Sequence, residues 1–204
     1  GSSLLYFPGM TPEWKRFNIA SLVAHEVLHQ WIGNLVSCDW WSEIWIHEGF
    51  ADFFAEEAVA KLQPEFQSDV IFINSHFQRA LKSDQTPNTH AVNHIFSMTK
   101  FAGLDDNEST DAFDDIAYSK GASLVRMLRN FLTEPVFKEG MRNFIKMHAY
   151  MSVNQTRLFE SFNNATNLPA TVAQIMDAWT FQPGFPLVRV NTKGDNSIEL
   201  VQVI

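Results

Sequence analysis

The sequence predicts a mainly α-helical domain that ends in a β-hairpin, and three observations carry that reading. Apolar residues recur at helical spacing through several segments, each closed by a proline or glycine signal. The period changes from helical to alternating only after Gln182-Pro183-Gly184-Phe185-Pro186. With 204 residues, 46% of them hydrophobic, the chain can bury a core for one domain, or for one domain and part of another.

The first helix carries Ala20-Ser21-Leu22-Val23-Ala24, His25-Glu26-Val27-Leu28-His29 and Trp31-Ile32, helix- and core-favouring residues with no interruption before Gly33. A second helix begins near Trp45 and runs through Glu48 and Asp52 into Ala55-Glu56-Glu57-Ala58-Val59-Ala60-Lys61. Residues 66–82 have helical spacing, and His76 within them reads as structural. Residues 84–111 lack a sustained period and read as a long loop. Helices follow over 118–132, stopped by Thr133-Glu134-Pro135, then over 137–147, 154–166 and 171–180. Leu187-Val188-Arg189-Val190 and Ser197-Ile198-Glu199-Leu200-Val201-Gln202-Val203 alternate around the turn Lys193-Gly194-Asp195-Asn196. A hairpin of this kind is marginal alone.

The net charge of −8 argues against a nucleic-acid partner. The acidic runs at 105–108 and 111–115 read as solvated loop. No stretch of eighteen uncharged apolar residues is present, and Gly1-Ser2-Ser3 opens without a signal-peptide pattern. Cys38 is the single cysteine, so no disulfide forms within the segment, and it reads as a buried free thiol. Asn107, Asn154 and Asn164 each stand in an Asn-x-Ser/Thr triplet and are candidate N-glycan sites in a secreted setting.

Chemistry concentrates in His25-Glu26-Val27-Leu28-His29 and in Glu48, with eighteen residues between it and His29. Residues four apart lie one above the other on a helix, so His25 and His29 can aim at one metal ion. Two imidazoles and a carboxylate from Glu48 leave the fourth position of a tetrahedral Zn²⁺ open for water, and Glu26 is placed to act on that water as general base. His47 sits beside Glu48 but points about 100° away around the helix, which makes it a neighbour of the site rather than a ligand. Asp52, one turn after Glu48, is placed to orient a ligand imidazole, and a solvated helix aspartate is an equal reading.

These motifs, with Trp45-Ile46-His47-Glu48-Gly49-Phe50-Ala51 and Tyr118-Ser119-Lys120-Gly121-Ala122, resemble those of the aminopeptidase-N-like zinc metallopeptidases of the gluzincin clan. That family's pattern is H-E-x-x-H, eighteen residues, then E within a W-x-x-E-G-F-A run. His47 stands where asparagine is common. The resemblance implies a thermolysin-like catalytic domain (its helical lobe), one Zn²⁺ held by His25, His29 and Glu48, Glu26 as base, and Tyr118 as donor to the developing oxyanion. It also implies a boundary near residue 182, with residues 183–204 opening a following β-sandwich in a larger polypeptide.

The expected activity is release of the N-terminal residue from peptides. A thermolysin-like endopeptidase and a non-catalytic surface receptor are the alternatives. The family's G-x-M-E-N motif, whose glutamate binds the substrate's α-amine, is absent from these residues. Expected partners are peptide substrates, the remaining domains of the polypeptide and a second copy in a homodimer. The expected location is the outer face of the plasma membrane or the secreted space.

Overall fold

One helix organises the molecule. The computed structural model describes residues 2–94, 112–163, 168, 170–194 and 196–203. Helix α2, Ile44–Leu62, is buried around most of its circumference, from Ile44, Trp45 and Ile46 through Phe50, Phe53 and Val59. A helix apolar on several faces must be packed on several sides. Three helices meet that demand: α1 (Glu13–Leu28); α3, formed by Ser68–Phe72, the π-helical turn Ile73–Phe77 and Gln78–Asp84 in succession; and α4, formed by the π-helical turn Ile116–Lys120 and Gly121–Leu132.

The remaining helices close the core from the other side. They are α5 (Glu134–His148), α6 (Gln155–Asn163) and α7 (Val172–Thr180). Phe137 of α5 lies edge-on to Phe53 at 5.9 Å and stacks on Phe162 of α6 at 5.8 Å. Helix α7 starts where a capping box dictates: Gln174 N–H donates to Thr171 Oγ1 at 3.2 Å, and the Gln174 side chain accepts from Thr171 N–H at 2.9 Å.

Helices α2 and α4 approach each other backbone to backbone. A Cβ placed on Gly49 would lie 2.7 Å from the Gly121 carbonyl carbon and 2.8 Å from its Cα. Two backbones meet there with no side chain between them, and glycine at position 49 permits it. The residues flanking Gly121 fix α4 in turn. Ala122 is fully buried, and buried Lys120 donates to Asp84 Oδ2 at 2.7 Å and to the Gly184 carbonyl at 2.9 Å. Asp84 Oδ1 accepts from Gly184 N–H at 2.9 Å and from Thr89 Oγ1 at 2.8 Å, so the end of α3, the start of α4 and the segment leading to the hairpin share one buried ion pair.

Most helical expectations hold within a few residues, and the mainly helical class with a late hairpin is what the structure has. The hairpin pairs β3 (Leu187–Thr192) with β4 (Ile198–Val203), numbered after the two short strands described next, with Leu187 opposite Val203 and Thr192 opposite Ile198. Its apolar side chains, among them Leu187, Val190, Ile198 and Leu200, are exposed.

Three expectations change. A parallel pair, β1 (Val36–Cys38) with β2 (Met151–Val153), escaped the sequence reading because three-residue strands far apart in the chain leave no periodic trace. Leu22, Val23 and Val27 of α1, read as core, face outward and are exposed among the described residues. Cys38 is a free thiol but only half-buried. Among the described residues no helix is long and apolar enough to cross a membrane. Most of the expected loop, with Asn107, and Asn164 as well, lie outside the described residues.

Because the Gly49 contact is backbone against backbone, nothing can rotate away. Gly49→Ala is expected to cost about 1–3 kcal/mol through overpacking. Gly121→Ala, whose Cβ would sit 3.2 Å from Gly49 Cα, is expected to cost less. Urea midpoints of the two variants against the native protein check both the size and the order.

Candidate metal centre

Helix α1 delivers His25 from its last turn and His29 from its C-cap, and α2 delivers Glu48 opposite them. His25 Nε2 lies 2.9 Å from His29 Nε2 and 3.2 Å from Glu48 Oε2, and His29 Nε2 lies 3.4 Å from the same oxygen. Among the described residues this is the one group of histidine, cysteine and carboxylate atoms close enough to hold a metal ion.

The outer nitrogens show what the inner ones are for. His25 Nδ1 faces Asp52 Oδ1 at 2.8 Å, and His29 Nδ1 faces the Ile32 carbonyl at 3.1 Å. A carboxylate and a carbonyl only accept, so each Nδ1 carries a proton and each neutral ring presents a bare Nε2 lone pair. Two lone pairs and a carboxylate oxygen then crowd within 3.4 Å of one another, an arrangement that repels unless a cation or protons sit among them. Zinc bonds of about 2.0–2.1 Å at tetrahedral angles would separate donor atoms by about 3.3–3.4 Å, and the three observed separations approach that triangle. The donor set fits a zinc ion.

Without the ion, protons take its part. Burial works against charge on His25, but Asp52 and Glu48 outweigh it and raise its pKa to about 9. The hydrogen bond to Glu48 likewise raises His29, against burial. Burial would push Glu48 up, yet its contacts with both histidines bring it down to about 2. Metal uptake at neutral pH must therefore expel a proton from the His25 ring.

Local backbone serves the same end. Gly33, at φ +125°, turns the chain directly beneath His29, where a Cβ would lie 3.2 Å from Nδ1. On the other flank Tyr118 stacks its ring nearly parallel to His25, 14° between planes and 6.0 Å between centroids. Burial, and then the neighbouring Glu48 carboxylate, raise the Tyr118 pKa, so the phenol keeps its proton as a donor. Glu26 is solvent-exposed and lines, with His25, Asp52 and Tyr118, a cavity of about 330 Å³.

The description "Peptidase family M1 domain" fits residues 1–179. This chain belongs to peptidase family M1. It is 35% identical over 182 residues to the leucyl aminopeptidase of Saccharolobus solfataricus, covering 89% of this chain and 22% of that protein. It is 37% identical over 198 residues to aminopeptidase N of Oryctolagus cuniculus, covering 94% and 20%. Against aminopeptidase Q of Homo sapiens the identity is 36% over 196 residues, covering 93% and 19%. The chain thus spans about a fifth of the length of these relatives.

In this M1 chain the residues expected at the centre converge: His25, His29 and Glu48 touch, and Tyr118 and Glu26 flank them. Asp52 is half-buried and contacts the His25 ring, so it is not a solvated helix aspartate. His47 stays apart; it is half-buried, its Nδ1 is 4.0 Å from Cys38 Sγ, and burial lowers its pKa to about 4. Burial raises the Cys38 thiol to about 11, which leaves it inert at neutral pH.

Asp114 and Asp115, read as solvated loop, lie in a turn but are half-buried and held by specific partners, while Asp111 lies outside the described residues. Asp114 Oδ1 accepts from Ile116 and Ala117 N–H, each at 3.0 Å, capping the turn that carries Tyr118. Its other oxygen faces His90 Nε2 at 2.8 Å, and Asp115 accepts from Ser83 Oγ at 2.9 Å. An aspartate two residues before an apolar helical run is a readable cap signal. His90 left none, since its partner is distant in sequence.

The His90–Asp114 pair makes the Tyr118 turn sensitive to pH. The hydrogen bond to Asp114 raises the His90 pKa above its ordinary 6.5, so this part of the stability is complete below 6.5 and is lost as pH rises through the raised value. Burial opposes charge on Asp114, but His90 and the two backbone donors lower its pKa below 3.8, so its part is present above 3.8 and is lost as pH falls through the lowered value. The native protein is expected to lose more stability between pH 6 and 8 than His90→Gln does. Urea midpoints at the two pH values measure the difference.

Proposed function

We propose that this chain carries the catalytic centre of a zinc-dependent aminopeptidase, which releases the N-terminal residue of a peptide. The observation that carries it is the convergence of two imidazole lone pairs and the Glu48 carboxylate, with Tyr118 and Glu26 opening onto the cavity beside them. The aminopeptidase names of the M1 relatives support the reaction class.

His25, His29 and Glu48 would hold the ion. A bound Zn²⁺ supplies Lewis acidity toward the scissile carbonyl and makes water ionisable near neutral pH. Glu26, exposed to the cavity, takes a proton from the attacking water and passes it to the leaving amine. Tyr118 keeps its proton and donates to the oxyanion as the carbonyl becomes tetrahedral, when that charge is greatest. Asp52 accepts the His25 Nδ1 proton, which keeps Nε2 bare and aimed inward. The exposed apolar faces of β3 and β4 support reading residues 183–204 as the start of a β-sandwich after a thermolysin-like lobe. An extracellular location with a glycan on Asn154 belongs to the same proposal.

Two variants separate the roles. Glu26→Gln is expected to retain zinc, by metal analysis, while losing about 10²–10⁴-fold in kcat. Tyr118→Phe is expected to lower kcat by about 10²-fold or more, with metal content unchanged. Full turnover in a zinc-loaded Glu26→Gln protein would overturn the mechanism. Comparing a free aminoacyl-anilide with its N-acetylated form tests the exopeptidase reading; equal turnover of the two would point to an endopeptidase.

A further inference from the structure

Glu48, Asp52 and Glu56 recur every fourth residue on α2 and so line one face of it. Glu48 meets the two histidine ligands, and Asp52 meets the far side of one of them. Glu56, a turn further from the metal centre, is buried and held by two hydroxyls. Ser21 of α1 donates to its Oε1 at 2.9 Å, and Ser68 of α3 donates to its Oε2.

Between Asp52 and Glu56 stands His76. Its ring is 8% exposed and lies against Phe72, 4.9 Å between centroids. Nδ1 faces Asp52 Oδ2 at 3.5 Å and Nε2 faces Glu56 Oε1 at 3.7 Å. Nδ1 is fully shielded from solvent and has no hydrogen-bond partner at normal distance. A buried polar atom in that condition is costly, and a shift of a few tenths of an ångström toward Asp52 would relieve it. The residue is carried by the π-helical turn Ile73–Phe77, and such turns cluster at functional sites. The only other π-helical turn among the described residues is the one that carries Tyr118.

Asp52 has Oδ1 on His25 and Oδ2 facing His76, and it lines the cavity together with Glu26 and Tyr118. With nothing on that second oxygen, the carboxylate can turn toward solvent and release the His25 proton. We propose that His76 is a positioning residue for the metal centre. It engages Asp52 Oδ2, is itself held by Glu56, and so keeps Asp52 in the orientation that fixes His25. The chain of contacts runs Glu56, His76, Asp52, His25. The inference rests on the zinc reading above and adds a residue two contacts away from the ion.

Zinc affinity of the full-length protein, measured by competition with a chelating dye, tests it. His76→Met fills the space without offering a donor and is expected to weaken zinc binding about 10-fold or more, as loss of a ligand's hydrogen-bonded support does. Turnover at saturating zinc should show a lower kcat with KM little changed. His76→Asn, whose amide nitrogen takes the place of Nδ1 and keeps a donor there, is expected to stay within about threefold of the native affinity. In an Asp52→Asn background the methionine substitution should add no further loss, because its route to the ion is already cut.

A His76→Met protein that binds zinc as tightly as the native one overturns the proposal. So does an equal loss in the asparagine variant, or a loss that persists undiminished in Asp52→Asn, since either marks a packing role. If the methionine variant does not fold, His76→Leu, which offers no donor to Asp52, replaces it in the same comparisons, and the same results support or overturn the proposal. A native protein that binds no zinc at all would overturn the zinc reading itself, an outcome distinct from each of these.

Discussion

The contact of Gly49 with Gly121 is the constraint on which the rest of the site depends. Glu48 immediately precedes one glycine, and Tyr118 lies three residues before the other. The separation of α2 and α4 at that point therefore sets how far the phenol stands from the carboxylate and from the His25 ring stacked on it. Sites accurate to about half an ångström need such a rigid base. The surrounding residues serve it: Ala122 packs with no exposed surface, and Lys120 ties α4 to Asp84 and the Gly184 carbonyl. The Ser-Lys-Gly-Ala run beside Tyr118 is thus an anchoring device.

Burying charge is expensive, and this protein does so repeatedly. Glu43, Glu48, Glu56, Asp84 and Lys120 are all buried. Each is answered by specific partners rather than by water. Glu43 accepts from the Asn93 side chain at 3.0 Å and from Gln155 N–H at 3.1 Å, and burial still raises its pKa. Lys120 and Asp84 form a pair whose disruption from one side would leave a lone buried charge, a loss of about 3–5 kcal/mol. Glu48 and Asp52 differ from these, because their partners are the rings that aim at the metal centre. Stability and metal affinity are coupled there: the contacts that make burial tolerable also keep the two imidazole lone pairs facing inward.

The α2 carboxylate row shows how a helix can organise a site in depth. Spacing by four places Glu48 on the ligands, Asp52 behind one ligand and Glu56 behind that again. α1 and α3 supply the groups that meet the row: His25, His29 and Ser21 from one, Ser68 and His76 from the other. The site is therefore a seam between three helices. Its geometry reflects helix packing more than any loop conformation.

Much of this was legible in the chain. The four-residue spacing of His25 and His29, and of Glu48, Asp52 and Glu56, follows from helical geometry alone, so the ligand set and the row behind it are written in local sequence. Helices of ten residues or more carry their own periodic signal, which explains why their existence was readable while their ends moved by a few residues. Tertiary structure decided what depends on pairing across long separations. The β1–β2 strands are too short to show a period. His90 gained its role only when Asp114 arrived beside it, and His76 only when α3 packed on α2. Asp114 had a local meaning as a cap, obscured by the acidic run around it. Sequence alone determined which residues could bind a metal; packing between distant helices determined which others hold them in place, because a side chain's partners are set by three-dimensional neighbours rather than by spacing along the chain.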